Sequence, residues 1–246
     1  MKECLVLRAP SGISGDMLLT GLAVVGGVSA KVMEELVDRI GVPELRGALS
    51  IGEVMLGGVS GWRAALNLPA QKCAHTHRHF AEIRDLVAGS AMDKNAKEIA
   101  QKAFADLADV EGQIHGIKPD RVAFHEVGGL DSILDICLVA ALYARLKPAA
   151  FVCSPLPLCD GVIDCAHGKL SSPAPATLKL LEGVPVYGVE SSGETVTPTG
   201  IALLKACGAR FGEWPALTIT KSCRVYGSRV LPNIPNGAIF ALGCQE

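Results

Sequence analysis

Apolar and polar positions alternate along the chain in a way that divides it into short strand and helix units. Cys4–Leu7 is a continuous apolar run, the pattern of a short buried strand, and after a Gly/Ser loop Leu18–Val25 reads as helix. Ala30–Ile40 is a second helix that stops at Gly41, with Pro43 just beyond. Gly accepts the left-handed turn at a helix end and Pro cannot continue the helix. Ala48–Met55 and Trp62–Leu68 alternate around Gly57-Gly58 and Gly61, which predicts a β-hairpin and a mixed rather than purely parallel sheet. Ala81–Ala88 and Lys94–Gln113 are helical, the second from the spacing of Ile99, Ala103, Phe104, Leu107 and Val110. A helix over Leu130–Leu146 precedes a strand over Ala150–Leu158 that Pro155 and Pro157 interrupt. Prolines remove ladder donors, so this strand is expected at a sheet edge or cleft. Val162–Cys165 is a strand, helices run to Leu181 and over Ile201–Cys207, and strands are expected at Ala216–Thr220 and Ala238–Leu242. The alternation and the short connections predict one α/β domain over residues 1–246, with α+β as the alternative. Its architecture is expected to be a mixed sheet flanked by helices, with 49–79 as a small hairpin and His-rich insertion.

Composition narrows the function classes. The chain has 246 residues, enough for a substantial core, and at 49% hydrophobic but 4% aromatic that core is aliphatic. A net charge of −2 gives no broad surface for nucleic acid. No apolar run approaches the ~20 residues of a membrane span, and the start MKECLVLRAP has no signal-peptide pattern. Nine cysteines, an odd number without a CxxC pair, suggest reduced thiols and a cytoplasmic location.

Polar residues gather at the element ends. Phe124–Asp135, FHEVGGLDSILD, puts His125 and Glu126 before a Gly128-Gly129 turn, and Asp131 and Asp135 after it on one helical face. Such a set suits metal binding or acid/base work; equally, Asp131 is an ordinary start to a helix. Three of the six histidines, His75, His77 and His79, alternate after Cys73. In an extended segment they point the same way and could share a metal such as nickel, zinc or copper; a solvated loop is the alternative. Ser14 and Asp16 follow a Gly/Ser loop at a helix start, and Thr197 and Thr199 open another, both places where backbone N–H groups meet an anion. A threonine there is also an ordinary N-cap. His115 closes a helix, where a cation suits the dipole without further role. The residues alone thus describe a cytoplasmic metal-binding α/β protein with a site for a small anion.

Several blocks in one order extend this: SGISGDM at Ser11–Met17, the histidine run, IHG at Ile114–Gly116, FHEVGGLDSILD, CAHGKLSSPAPAT at Cys165–Thr177, GVPVYG at Gly183–Gly188 and ETVTPTG at Glu194–Gly200. Together they resemble the LarC family of nickel-insertion proteins, which mature the nickel-pincer nucleotide cofactor of lactate racemase. The resemblance implies a metal-insertion enzyme, a nickel chelatase or cyclometallase of the lyase type. It would place nickel into pyridinium-3,5-bisthiocarboxylic acid mononucleotide, using CTP with Mn or Mg. Nickel–carbon bond formation there displaces a ring proton. The residues' own chemistry, rather than known family roles, then assigns His125, Glu126 and Asp131 to the reaction centre, His75, His77, His79 and Asp135 to the metal, and Ser14, Asp16, Thr197 and Thr199 to the nucleotide. A non-catalytic nickel-binding or storage module and a metal-dependent hydrolase are the alternatives. Two blocks differ from the family pattern: Tyr226-Gly227-Ser228-Arg229 replaces a glycine-rich YGAGT-like turn, and Pro235–Ile239 an altered PNVLR-like run. The family's C-terminal domain, linked to CTP chemistry, is expected to act as a separate or fused partner, and a homo-oligomer is expected.

Overall fold

The apolar run that opens the chain forms an inner strand of the main sheet. The computed structural model describes residues 2–68, 78–124, 127–165 and 168–245. The first half comprises β1 (Lys2–Arg8), α1 (Gly15–Val25), α2 (Ala30–Ile40), β2 (Leu49–Leu56), β3 (Val59–Leu66), β4 (Arg78–His79), α3 (Phe80–Gly89), α4 (Lys94–His115) and β5 (Ala123–Phe124). Then come α5 (Leu130–Leu146), β6 (Ala150–Cys153), β7 (Leu156–Leu158), β8 (Val162–Cys165), β9 (Gly168–Ser171), α6 (Pro175–Leu180) and β10 (Val186–Gly188). The chain closes with α7 (Pro198–Ala206), β11 (Arg210–Phe211), β12 (Thr218–Val225) and β13 (Ala238–Gln245).

Among the described residues the largest sheet has seven strands in the order β11-β6-β1-β13-β12-β3-β2. β1 is parallel to β6 and antiparallel to β13, with Leu5 opposite both Phe151 and Leu242. The sheet is therefore mixed, as the hairpin implied. That hairpin, β2–β3, forms one edge and joins β12 where Trp62 meets Val225. The strand expected over Ala150–Leu158 divides at Ser154-Pro155. β6 stays in the main ladder between β1 and β11, whereas β7 leaves to pair with β10. Leu156 donates to Pro185 O and Leu158 accepts from Val189 N, so the Pro157 nitrogen points away from its partner strand and no ladder bond is lost.

The pleat of β1 explains the layers. Leu5 and Leu7 face the helices and join the main core with Leu19, Phe104 and Phe240, while Cys4 and Val6 form a small cluster with Ala241 on the other face. α1 lies against β3, β12 and β13, with α5 packed on it and α4 packed on α5 and α7. Gly21 permits the helix–sheet contact, because a Cβ there would run into the Phe240 ring.

Candidate functional site

Three helix starts meet at one polar cavity, and local chain chemistry explains how. Residues 10–14 are zipped to the segment before α7: Ile13 N donates to Thr195 O at 3.1 Å, and Thr197 N donates to Ile13 O at 3.1 Å. Gly12 turns with φ +93°, and the place a Cβ would take is occupied by the Thr195 carbonyl. A Cβ on Gly200 would lie 2.7 Å from Ile13 O, and one on Gly15 would lie 2.6 Å from Asp135 Oδ2 and 3.0 Å from Thr199 Cγ2. Glycine at these positions lets the starts of α1 and α7 come together beside the second turn of α5.

Between these helix starts and the loop 226–237 lies a cavity of about 410 Å³, lined by Ser14, Asp16, Asp131, Asp135, Thr197 and Thr199 among others. These are six of the seven predicted site residues that are described. His79 is the seventh and is not part of the lining. Sequence reasoning missed Glu194, Thr195, Ser228, Arg229 and Asn236, which also line it. Glu194 and Thr195 sat in the ETVTPTG block, and Ser228, Arg229 and Asn236 in the two blocks that differ from the family pattern, but none of them carried a signal that marked it as a site residue. A larger cavity of about 670 Å³ lies between α1, α2 and the hairpin beside Trp62, but its lining is mainly apolar and holds none of the predicted residues.

The two ends of the chemistry are set by caps and charge. Ser14 occupies the N-cap of α1 without capping it; its hydroxyl donates instead to Asp16 Oδ1. Gly129 at the N-cap of α5 has no side chain to offer. The first-turn N–H groups of these two helices therefore have no side-chain cap, and such orphan donors suit an anion. α7 differs: Thr197 Oγ1 accepts from Gly200 N at 3.1 Å and caps it. Asp16 and Asp131 lie in the first turns of their helices, where the dipole favours a carboxylate. Asp135 sits a turn deeper. It touches the cavity but is otherwise enclosed by protein, and burial holds its pKa well above the usual carboxylate range, helped by the negative charges of Asp16 and Asp131. Across the cavity lining, Arg229 Nη1 pairs with Glu194 Oε2 at 3.9 Å.

The last residues of the histidine run, Arg78 and His79, pair with the short strand that ends at Phe124. β4 pairs antiparallel with β5, placing Arg78 opposite Phe124 and His79 opposite Ala123. Arg78 Nη1 donates to Gly128 O at 2.8 Å, which ties Arg78 to the glycine turn before Asp131. His79 N donates to Glu82 Oε2 at 3.1 Å at the start of α3. His75, His77, His125 and Glu126 lie outside the described residues, as do Cys73 and His167. His115 pairs with Glu111 at 3.2 Å in the last turn of α4.

Among the described residues no group of three or more His, Cys, Asp or Glu side chains is placed to hold a metal ion. The described residues by themselves therefore do not fit a resident Mn or Mg ion with CTP. Buried thiols are also poor nucleophiles here: burial pushes Cys137, Cys153, Cys207 and Cys223 up to about 12. Among the described residues the cavity's chemistry is that of hydroxyls, carboxylates, helix-start N–H groups without a side-chain cap and one guanidinium.

The sequence matches the nickel insertion protein family over residues 5–244. A protein of Geobacter metallireducens named "Putative nickel insertion protein" is 38% identical over 236 residues, covering 96% of this chain and 60% of its own length. A pyridinium-3,5-bisthiocarboxylic acid mononucleotide nickel insertion protein of Geobacillus kaustophilus is 35% identical over 248 residues, covering 98% of this chain and 60% of its own length. The chain thus spans about three fifths of the curated relatives it matches. No solved structure matches.

Proposed function

The chain belongs to the nickel insertion protein family, and from that premise we propose that its polar cavity is where nickel enters a pyridinium-3,5-bisthiocarboxylic acid mononucleotide. The observation that carries this reading is the convergence of α1, α5 and α7 on a cavity of about 410 Å³, a size within the ~300–1,000 Å³ of small-molecule sites. Ser14, Asp16, Thr197 and Thr199 surround the mononucleotide, with the uncapped start of α1 offering N–H groups to its phosphate. Nickel is the cargo. His75, His77 and His79 capture it, because imidazoles exchange more readily than a closed thiolate cage, and Asp135 receives it at the cavity. Arg78, next to His79, is tied to the turn before Asp131, which supports a link between capture and insertion.

When the metal bonds to the ring carbon, the C–H bond breaks and its proton passes to a protein base. His125, Glu126 and Asp131 are the groups for this step. CTP, with Mn or Mg, would act as co-substrate through the family's C-terminal domain as partner, since the described residues of this chain do not by themselves fit that metal. The protein is then a metal-insertion enzyme of the chelatase kind, working in the cytoplasm as a homo-oligomer.

The test is to mix the purified chain with nickel, CTP, manganese and the metal-free mononucleotide, with and without the family's C-terminal domain. Nickel-loaded nucleotide, detected by mass spectrometry, is expected in the complete mixture. No transfer in either mixture by correctly folded protein overturns the insertion reading.

A further inference from the structure

We propose that Arg229 clamps the phosphate of the mononucleotide, leaving Glu194 to take up the phosphate beside the start of α1. The proposal rests on the reading of the cavity as the mononucleotide site and adds to it the residue that sets substrate orientation. Among the described residues that line the cavity Arg229 is the single basic side chain, against the carboxylates of Asp16, Asp131, Asp135 and Glu194. The two thiocarboxylate groups of such a substrate must stay free to meet nickel. Its phosphate is therefore the anion the protein is able to grip.

The loop that carries Arg229 is built to hold its backbone still. The Asn236 side chain accepts from Leu231 N at 2.8 Å and donates to Leu231 O at 2.9 Å. Ser11 Oγ donates to Gly237 O at 3.2 Å, Tyr226 OH to Val59 O at 3.0 Å, and Ser191 Oγ to Pro232 O at 2.7 Å. Gly227, two residues before Arg229, packs against α1: a Cβ there would lie 3.2 Å from Met17 Sδ and 3.9 Å from Ser14 Oγ. Arg229 thus hangs from a fixed loop whose Gly227 packs on the uncapped start of α1, and its side chain lines the same cavity.

The side chain itself is loosely held. Arg229 is 67% exposed and its pairing with Glu194, itself 17% exposed, is 3.9 Å long. A pair this long, with its guanidinium largely in solvent, contributes little, so the guanidinium can exchange partners. A guanidinium matches phosphate with two parallel hydrogen bonds. Charge then orients the substrate: the phosphate is drawn to Arg229, and the end that takes the nickel cation is left to Asp131 and Asp135 on α5.

The probe is pyridinium-3,5-dicarboxylic acid mononucleotide, the oxygen analogue, compared with the same compound lacking phosphate. Both are titrated without nickel into the wild-type chain, Arg229→Ala and Arg229→Lys by calorimetry, with thermal unfolding as a check on folding. The wild type is expected to prefer the phosphorylated compound. Arg229→Ala is expected to weaken that compound about 10- to 100-fold while leaving the dephosphorylated one unchanged. Arg229→Lys is expected to recover part of the loss, because it keeps the charge without the fork. An unchanged affinity in Arg229→Ala, or an equal loss for both compounds, overturns the phosphate role of Arg229 alone. Failure of the wild type to bind either compound overturns the reading of the cavity itself.

Discussion

Gly15 and Asp135 show how closely single residues constrain this site. Gly15→Ala puts a methyl where Asp135 Oδ2 and Thr199 Cγ2 stand, at 2.6 and 3.0 Å. We expect it to destabilise the fold by about 1–3 kcal/mol, as overpacking does, read by urea unfolding. Asp135 gives a pH prediction of definite sign. Its folded pKa is raised, chiefly by burial. Its stabilising contribution is therefore fully present below the unfolded carboxylate pKa of about 4 and is lost as pH rises through the folded value. Asp135→Asn cannot ionise, so its unfolding free energy is expected to fall less than that of wild type as pH rises from about 4 towards neutrality. Parallel pH profiles for the two proteins would contradict this. Asp16 and Thr197 were legible in the sequence because a Gly/Ser loop or a Thr-Pro step before a helix is a local signal. Gly15's approach to Asp135 and the place of Arg229 were not, because each depends on segments far apart in the chain.

Among the elements, those bounded by strong local punctuation came out as expected. α2 ends at Gly41, which takes φ 83°, and α5 starts at Leu130 after a glycine turn. α1 begins at Gly15 rather than Leu18, since its first turn carries no apolar run to mark it. β12 and β13 run further than expected, to Val225 and Gln245. The mostly exposed stretch TITKSCRV conceals the strand because little of it is buried. The division of β6 from β7 was hidden for the opposite reason: both pieces are apolar, and only pairing with different partners separates them. Caps give the test at this scale. Thr197→Ala removes the bond to Gly200 N and is expected to cost about 1 kcal/mol, whereas Ser14→Ala, which loses no cap, is expected to cost less. Denaturant midpoints at constant slope decide between equal and unequal losses.

For the whole molecule, the mixed sheet flanked by helices was legible from the alternation of strand and helix patterns and from the early hairpin. No helix among the described residues is long and apolar enough to cross a membrane. Only part of the candidate site's residue set was legible, and its place was not: Ser14, Asp131 and Thr199 stand at the starts of three separate helices, and only the packing of α1 against α5 and α7 unites them. We propose that this cavity, not the larger apolar one beside Trp62, receives the mononucleotide. The decisive measurement is a crystal structure of the chain saturated with the dicarboxylate mononucleotide analogue. Ligand density is expected between Ser14, Asp131 and Thr199; density in the apolar cavity, or none between the three helix starts at saturation, would contradict the proposal.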